Sequence, residues 1–127
     1  MKPKRILVVD DETRVREMIE FRLRLFGYEV LQAADGREAL AMASSEKPDL
    51  VLLDVMMPEL DGFQVCSRLK QDEGTRHIPV VMLTAKAEAK DVTRSFNSGA
   101  SDYVVKPYDP TVLQQKVAQN LSAGADH

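Results

Sequence analysis

Four short apolar runs in this chain each end on a residue that can do chemistry. Ile6-Leu7-Val8-Val9 runs into Asp10-Asp11, and Leu50-Val51-Leu52-Leu53 into Asp54. Val80-Val81-Met82-Leu83 runs into Thr84, and Tyr103-Val104-Val105 into Lys106. If the runs are neighbouring parallel strands, three carboxylates, a hydroxyl and an ammonium gather at the rim formed by their carboxyl ends, where open α/β sheets bind ligands. Two carboxylates ~4 Å apart repel by about 4 kcal/mol at an effective dielectric near 20, so a cluster of three calls for a counter-charge. A divalent cation supplies it, and a few carboxylates completed by water and a phosphate oxygen is a Mg²⁺ pattern rather than a Ca²⁺ cage. Any one of these residues alone is an ordinary helix cap or solvated turn. Their shared rim makes the set informative.

The elements that must position them follow from the pattern. Unbroken apolar character over four residues means burial on both faces, as in a parallel sheet covered by helices. Tyr28-Glu29-Val30-Leu31-Gln32 alternates instead, and reads as a half-exposed edge strand. Between the runs stand helix signals. Asp35 with Glu38 forms a capping-box pattern, Asp61 precedes Val65, Cys66 and Leu69, and Asp109-Pro110 opens a segment carrying Val112, Leu113, Val117 and Leu121. Gly27 and Gly99 mark helix ends. The first helix carries a stripe of Val15, Met18, Ile19, Leu23 and Phe26, with Phe21 and Leu25 lying off it. Five βα units in series predict a doubly wound parallel sheet with helices on both faces.

Composition narrows the function classes. The 127 residues fit one domain, expected over 1–122, with 123–127 a tail or the start of a linker. A net charge of −3 argues against direct nucleic-acid binding. Apolar runs of four residues fall far short of the ~20 a membrane helix needs, and Cys66 stands alone, without a disulfide partner. A cytoplasmic domain is expected. Cys66 lies on a helix stripe and is expected to be buried and inert, and His77 has no second metal ligand nearby.

The run Leu7-Val8-Val9-Asp10-Asp11-Glu12, the segment from Leu53-Asp54-Val55-Met56-Met57-Pro58 to Asp61-Gly62, Leu83-Thr84-Ala85 and Asp102-Tyr103-Val104-Val105-Lys106-Pro107 resemble a response-regulator receiver domain of two-component signalling, chemotaxis-regulator-like, over about residues 3–122. The resemblance implies a flavodoxin-like five-stranded sheet of order 2-1-3-4-5. It also implies a phosphoprotein that is not an enzyme beyond its own phosphorylation and slow autodephosphorylation. Asp54 takes the place of the residue that accepts a phosphoryl group from a sensor histidine kinase or phosphotransfer protein in a phosphorelay. Asp11 and Asp54, the Met56 carbonyl and, through water, Asp10 correspond to the Mg²⁺ ligands. Lys106 pairs with the phosphoryl oxygens, Thr84 moves to hydrogen-bond them, Tyr103 turns inward behind it, and Pro107 follows a cis peptide. Output then passes to an effector domain or protein through the face of the fourth helix, fifth strand and fifth helix, with a phosphorylation-dependent homodimer as one form. Two residues after the Asp and two after the Thr, the family tunes phosphoryl lifetime. Met56 and Lys86 stand there and imply slow decay.

Rival classes fit less well. A haloacid-dehalogenase-like phosphatase needs Asp-x-Asp, and Met56 stands where its second Asp belongs. The glycines form neither a phosphate-binding loop nor a dinucleotide fingerprint. A pseudo-receiver that only docks would not need all five signature positions intact.

Overall fold

The structure, a computed structural model, describes residues 2–85, 89–106 and 109–125. Lys86, Pro107 and His127 lie outside them. Along the chain run β1 (Arg5–Val9), α1 (Thr13–Leu25), β2 (Glu29–Ala33), α2 (Gly36–Glu46), β3 (Leu50–Asp54), α3 (Gly62–Gln71), β4 (Val80–Thr84), α4 (Ala89–Asn97), β5 (Asp102–Val105) and α5 (Pro110–Ala125). The strands form one parallel sheet in the order β2-β1-β3-β4-β5. The alternating segment is therefore an edge strand and the unbroken apolar runs of β1, β3 and β4 are interior, as their patterns require.

Strand periodicity splits the core in two. Leu7, Val9, Val51, Leu53, Val80 and Met82 pack on one face with Ala39 and Ala43 of α2 and Val65, Cys66 and Leu69 of α3. The residues between them, Ile6, Val8, Leu50, Leu52, Val81 and Leu83, pack on the other with Ile19 and Leu23 of α1 and Leu113 and Val117 of α5. The anticipated α1 stripe is narrower than its sequence suggests. Val15, Ile19 and Leu23 form the row against the sheet, while Met18 and Phe26 are each 50% exposed. Phe26 has left the helix as its C-cap, and Met18 edges a cleft between α1 and the start of α5. Phe21 and Leu25 face outward, as their off-stripe positions imply.

The caps behave as their chemistry dictates. Asp35 accepts a hydrogen bond from the Glu38 amide at 2.8 Å. The reciprocal box forms at Asp61, which accepts from the Gln64 amide while its own N–H donates to the Gln64 side chain. Asp109 accepts from the amides of Thr111 and Val112. Gly27 and Gly99 take positive φ, 92° and 102°, which glycine tolerates without strain. The last helix continues to Ala125, into the segment set aside as a tail. Among the described residues, no helix is long and apolar enough to cross a membrane.

Candidate functional site at the carboxyl rim of the sheet

Parallel strands of matched register deliver the polar residues that follow their apolar runs to one place. Val9 pairs with Leu53, Asp54 with Leu83 and Thr84 with Val105, so residues 10, 54, 84 and 106 emerge along one edge. Asp10 is fully buried, and Asp54 and Thr84 are 3% and 6% exposed. Lys106 reaches across the rim and places its Nζ 3.3 Å from Asp10 Oδ2 and 3.3 Å from Asp54 Oδ1. Its backbone is tied down beside Thr84, whose carbonyl accepts from the Lys106 N–H at 2.7 Å.

Each carboxylate is held in place. Asp10 Oδ1 accepts from the Glu12 amide at 2.9 Å, and the Asp10 carbonyl accepts from Arg16 Nη1 at 2.6 Å. Asp54 Oδ1 accepts from the Met56 amide at 3.3 Å, while the Met56 side chain projects into solvent, 73% exposed. The loop leaving Asp54 is braced twice: the Val55 N–H donates to Leu83 O and the Gly62 N–H to Val55 O.

Electrostatically the site is over-supplied with negative charge. Burial, reinforced by the neighbouring Asp10 charge, pushes the Asp54 carboxyl up to about 6, with Lys106 opposing the rise. Burial alone would lower the Lys106 ammonium, but Asp54 and Asp10 outweigh it and hold its pKa above the ordinary lysine value. One lysine does not neutralise this many acids. Carboxylate oxygens of Asp10, Asp11 and Glu12 lie within 4.8 Å of one another, so the donor set is all oxygen and suits a hard divalent cation.

The structure thus brings Asp10, Asp54 and Lys106 into contact, sets Thr84 beside Lys106 through the backbone, and groups Asp11 with Asp10. Tyr103 is half-buried on β5, edge-on to Phe96 with ring centroids 6.2 Å apart, and Lys116 Nζ lies 5.9 Å from its ring centroid. Cys66 is buried, and burial raises its thiol pKa. Three contributors escaped the sequence reading. Glu12 completes the acidic group, Arg16 clamps the Asp10 carbonyl, and Gly62 lets α3 start against the Asp54 backbone. Glu12 and Gly62 had a local signal, their places in the runs Asp10-Asp11-Glu12 and Asp61-Gly62.

The 2-1-3-4-5 sheet agrees with what similarity to known proteins shows. The sequence model of the response regulator receiver domain matches residues 6–118, and the chain belongs to that family. It is 49% identical over 118 residues to the probable transcriptional regulator ycf27 of Cyanophora paradoxa, covering 93% of this chain and 48% of that one. It is 47% identical over 113 residues to the DNA-binding dual master transcriptional regulator RpaA of Synechocystis sp., covering 89% and 47%. The chain spans about half the length of these curated relatives. Among solved structures, a putative response regulator from Chloroflexus aurantiacus superposes with a TM-score of 0.91 at 40% identity, covering 95% of this chain and 99% of that one. The chemotaxis protein CheY4 of Vibrio cholerae superposes with a TM-score of 0.89 at 33% identity, covering 93% and 98%.

Proposed function

We propose that Asp54 is the phospho-acceptor of a cytoplasmic two-component signalling step. The observation that carries this is the Lys106 ammonium held 3.3 Å from both Asp54 and Asp10 at a buried acidic rim. A carboxylate oxygen of Asp54 attacks the phosphorus of a phosphohistidine on a sensor kinase or phosphotransfer protein. The P–N bond breaks as the new P–O bond forms, and the imidazole leaves. Lys106 then exchanges its carboxylate partners for phosphoryl oxygens, and the Thr84 hydroxyl donates to another. Asp11, Asp54 and the Met56 carbonyl, with Asp10 acting through water and Glu12 nearby, would hold Mg²⁺. The ion supplies positive charge against the charge that spreads over the transferring oxygens. Acetyl phosphate tests the assignment. One phosphoryl group should appear by mass with Mg²⁺, and none in Asp54→Asn; labelling that survives the substitution would place the acceptor elsewhere.

Metal binding has its own readout. A cation that binds only the folded chain stabilises it by mass action, by about 1.4 kcal/mol at tenfold excess over Kd. Binding is expected in the millimolar to sub-millimolar range. Mg²⁺ should therefore raise the melting temperature, and Asp11→Ala should remove most of the rise. Asp11 is exposed, so its loss leaves the core intact. Melting curves that coincide with and without Mg²⁺ would count against the site.

The signal reaches an effector by population shift. Two charge-assisted hydrogen bonds, from Thr84 and Lys106, at ~1.5–3 kcal/mol each approach the ~5.5 kcal/mol that moves an equilibrium from 1:99 to 99:1. The face of α4, β5 and α5 carries exposed Phe96, Val105 and Val112 beside Tyr103, and we assign it the effector contact. Similarity to transcriptional regulators makes transcriptional control the favoured output. The same face would support a homodimer that forms on phosphorylation. Sedimentation should find a monomer that associates when beryllofluoride and Mg²⁺ are added, and a stable dimer without them would contradict this.

Phosphoryl lifetime follows from Met56 and Lys86. A thioether is a poor acceptor for an attacking water, and a charged ammonium cannot take its proton. Decay over minutes or longer is expected, faster in the Met56→Asn/Lys86→Glu double variant. Wild-type decay within seconds, or no acceleration in the variant, would be the contrary result.

A further inference from the structure

Away from the rim, the surface between α3 and α4 departs from the acidic balance of the chain. A cavity of about 490 Å³ lies there, with Phe63, Gln64, Arg68 and Gln71 on the α3 side and Arg94 and Asn97 on the α4 side. Among the described residues no carboxylate lines it, although acidic residues outnumber basic ones, 20 to 17, in the whole chain.

The two arginines are prepared in different ways. Arg94 spreads its guanidinium over the Phe63 ring, 4.3 Å from the centroid. Its one ion pair among the described residues, with Asp61, is long at 3.9 Å, and its side chain stays 63% exposed. The stacking fixes the plane of the fork at low entropic cost while leaving N–H groups for another acceptor. Arg68 forms no hydrogen bond or ion pair among the described residues. Beside them, Gln71 and Asn97 offer both donors and acceptors, and Gln64, whose Oε1 accepts from the Asp61 N–H at 3.0 Å, offers its amide N–H groups.

We propose that this trough binds an acidic peptide segment of a partner protein, its carboxylates taken by Arg68 and Arg94 and its backbone amides by the three carboxamides. Arginine forks match carboxylates bidentately, and charge complementarity supplies both attraction and orientation. A free inorganic anion would engage the guanidiniums and leave the carboxamides unused. An extended peptide uses both. The trough is separate from the phospho-acceptor rim, and the inference does not depend on Asp54 being phosphorylated.

The test is a ¹⁵N NMR titration of the full chain, without metal or phosphoryl donor, using a blocked tetraglutamate peptide as probe. Blocked tetraglutamine and inorganic phosphate serve as controls. Amide shifts should concentrate on Ser67, Arg68, Gln71, Arg94 and Asn97 and weaken as salt is added. Apparent affinity should fall about tenfold or more in Arg68→Glu, the loss of one charge-assisted contact. Among the described residues Arg68 has no hydrogen-bond or ion-pair partner to lose, so this variant should keep the wild-type fold, which its own spectrum reports. Shifts scattered over the surface, or unchanged in Arg68→Glu, overturn the proposal. So does phosphate matching the peptide at equal concentration, which would make the trough a small-anion site.

Discussion

Asp54→Asn is expected to melt higher than the wild type at pH 7 in metal-free buffer, although it removes the residue on which the proposed chemistry depends. Burial and the neighbouring Asp10 charge raise the Asp54 carboxyl from 3.8 to about 6. A carboxyl whose pKa is higher in the folded chain than in the unfolded one holds its proton more tightly when folded. Its contribution to stability is complete below the unfolded value, near 3.8, and is lost as pH rises through about 6. At pH 7 the folded chain therefore carries an ionised, buried carboxylate at a cost of up to about 3 kcal/mol. The neutral carboxamide escapes that cost and still offers an oxygen to Lys106 and to the Met56 amide. A gain of about 1–3 kcal/mol, or roughly 5–10 °C for a domain of this size, should follow. The difference should shrink as pH falls from 6 towards 4, and Mg²⁺ should narrow it at pH 7 by stabilising only the chain that keeps its carboxylate. Thermal melts of both proteins across pH 4–8 with chelator measure it. A lower melting temperature for Asp54→Asn at pH 7 would mean that the Asp54–Lys106 attraction outweighs the desolvation of the carboxylate.

How far the sequence carries depends on whether a feature is written in local pattern or in docking. β1, β3 and β4 were legible because burial on both faces leaves an unbroken apolar run, and β2 because an edge strand alternates. β5, whose run Tyr103-Val104-Val105 implied the same two-sided burial, is instead the other edge strand, with Val105 exposed. The rim residues were legible because each directly follows such a run. Parallel register then brings Asp54 level with Leu83 and Thr84 level with Val105. Helix edges were less legible. Val15, Ile19 and Leu23 share one row, but only the placement of α5 decides that Met18 borders a cleft, and Phe26 lies beyond the last helical turn. Arg94 and Arg68 look in sequence like any solvated arginines. Their setting against Phe63 and the carboxamides exists only once α3 and α4 are packed beside each other. Strand order 2-1-3-4-5 was available by resemblance, since no local pattern distinguishes it from other right-handed windings.

Gly62→Ala should be among the most damaging single-methyl additions available to this chain. Gly62 is the first residue of α3, and its N–H donates to Val55 O at 2.9 Å, closing the loop that leaves Asp54. A Cβ there would overlap the Asp54 carbonyl oxygen and come within 2.8 Å of Val55 Cα. Both neighbours are main chain in or just after a buried central strand, with Val55 N–H bonded to Leu83 O, so neither yields by a rotamer change. Either α3 retreats, opening the packing of Val65, Cys66 and Leu69, or the Asp54 backbone shifts and spoils the contact with Lys106. Overpacking of this kind costs about 1–3 kcal/mol where side chains can adjust, and backbone overlap places the change at or above the upper end. Stability should drop by about 3 kcal/mol and acetyl phosphate labelling of Asp54 should slow, although no polar side chain of the site has changed. Gly74→Ala is the matched control. Its Cβ would approach Lys47 Nζ at 2.9 Å, the far end of a flexible, exposed side chain that donates to the Gly74 carbonyl, and the cost should stay within about 1 kcal/mol. Denaturant unfolding of the two variants, with labelling rates measured alongside, separates the cases. If Gly62→Ala keeps wild-type stability and labelling, α3 does not start against the Asp54 backbone as tightly as its contacts indicate.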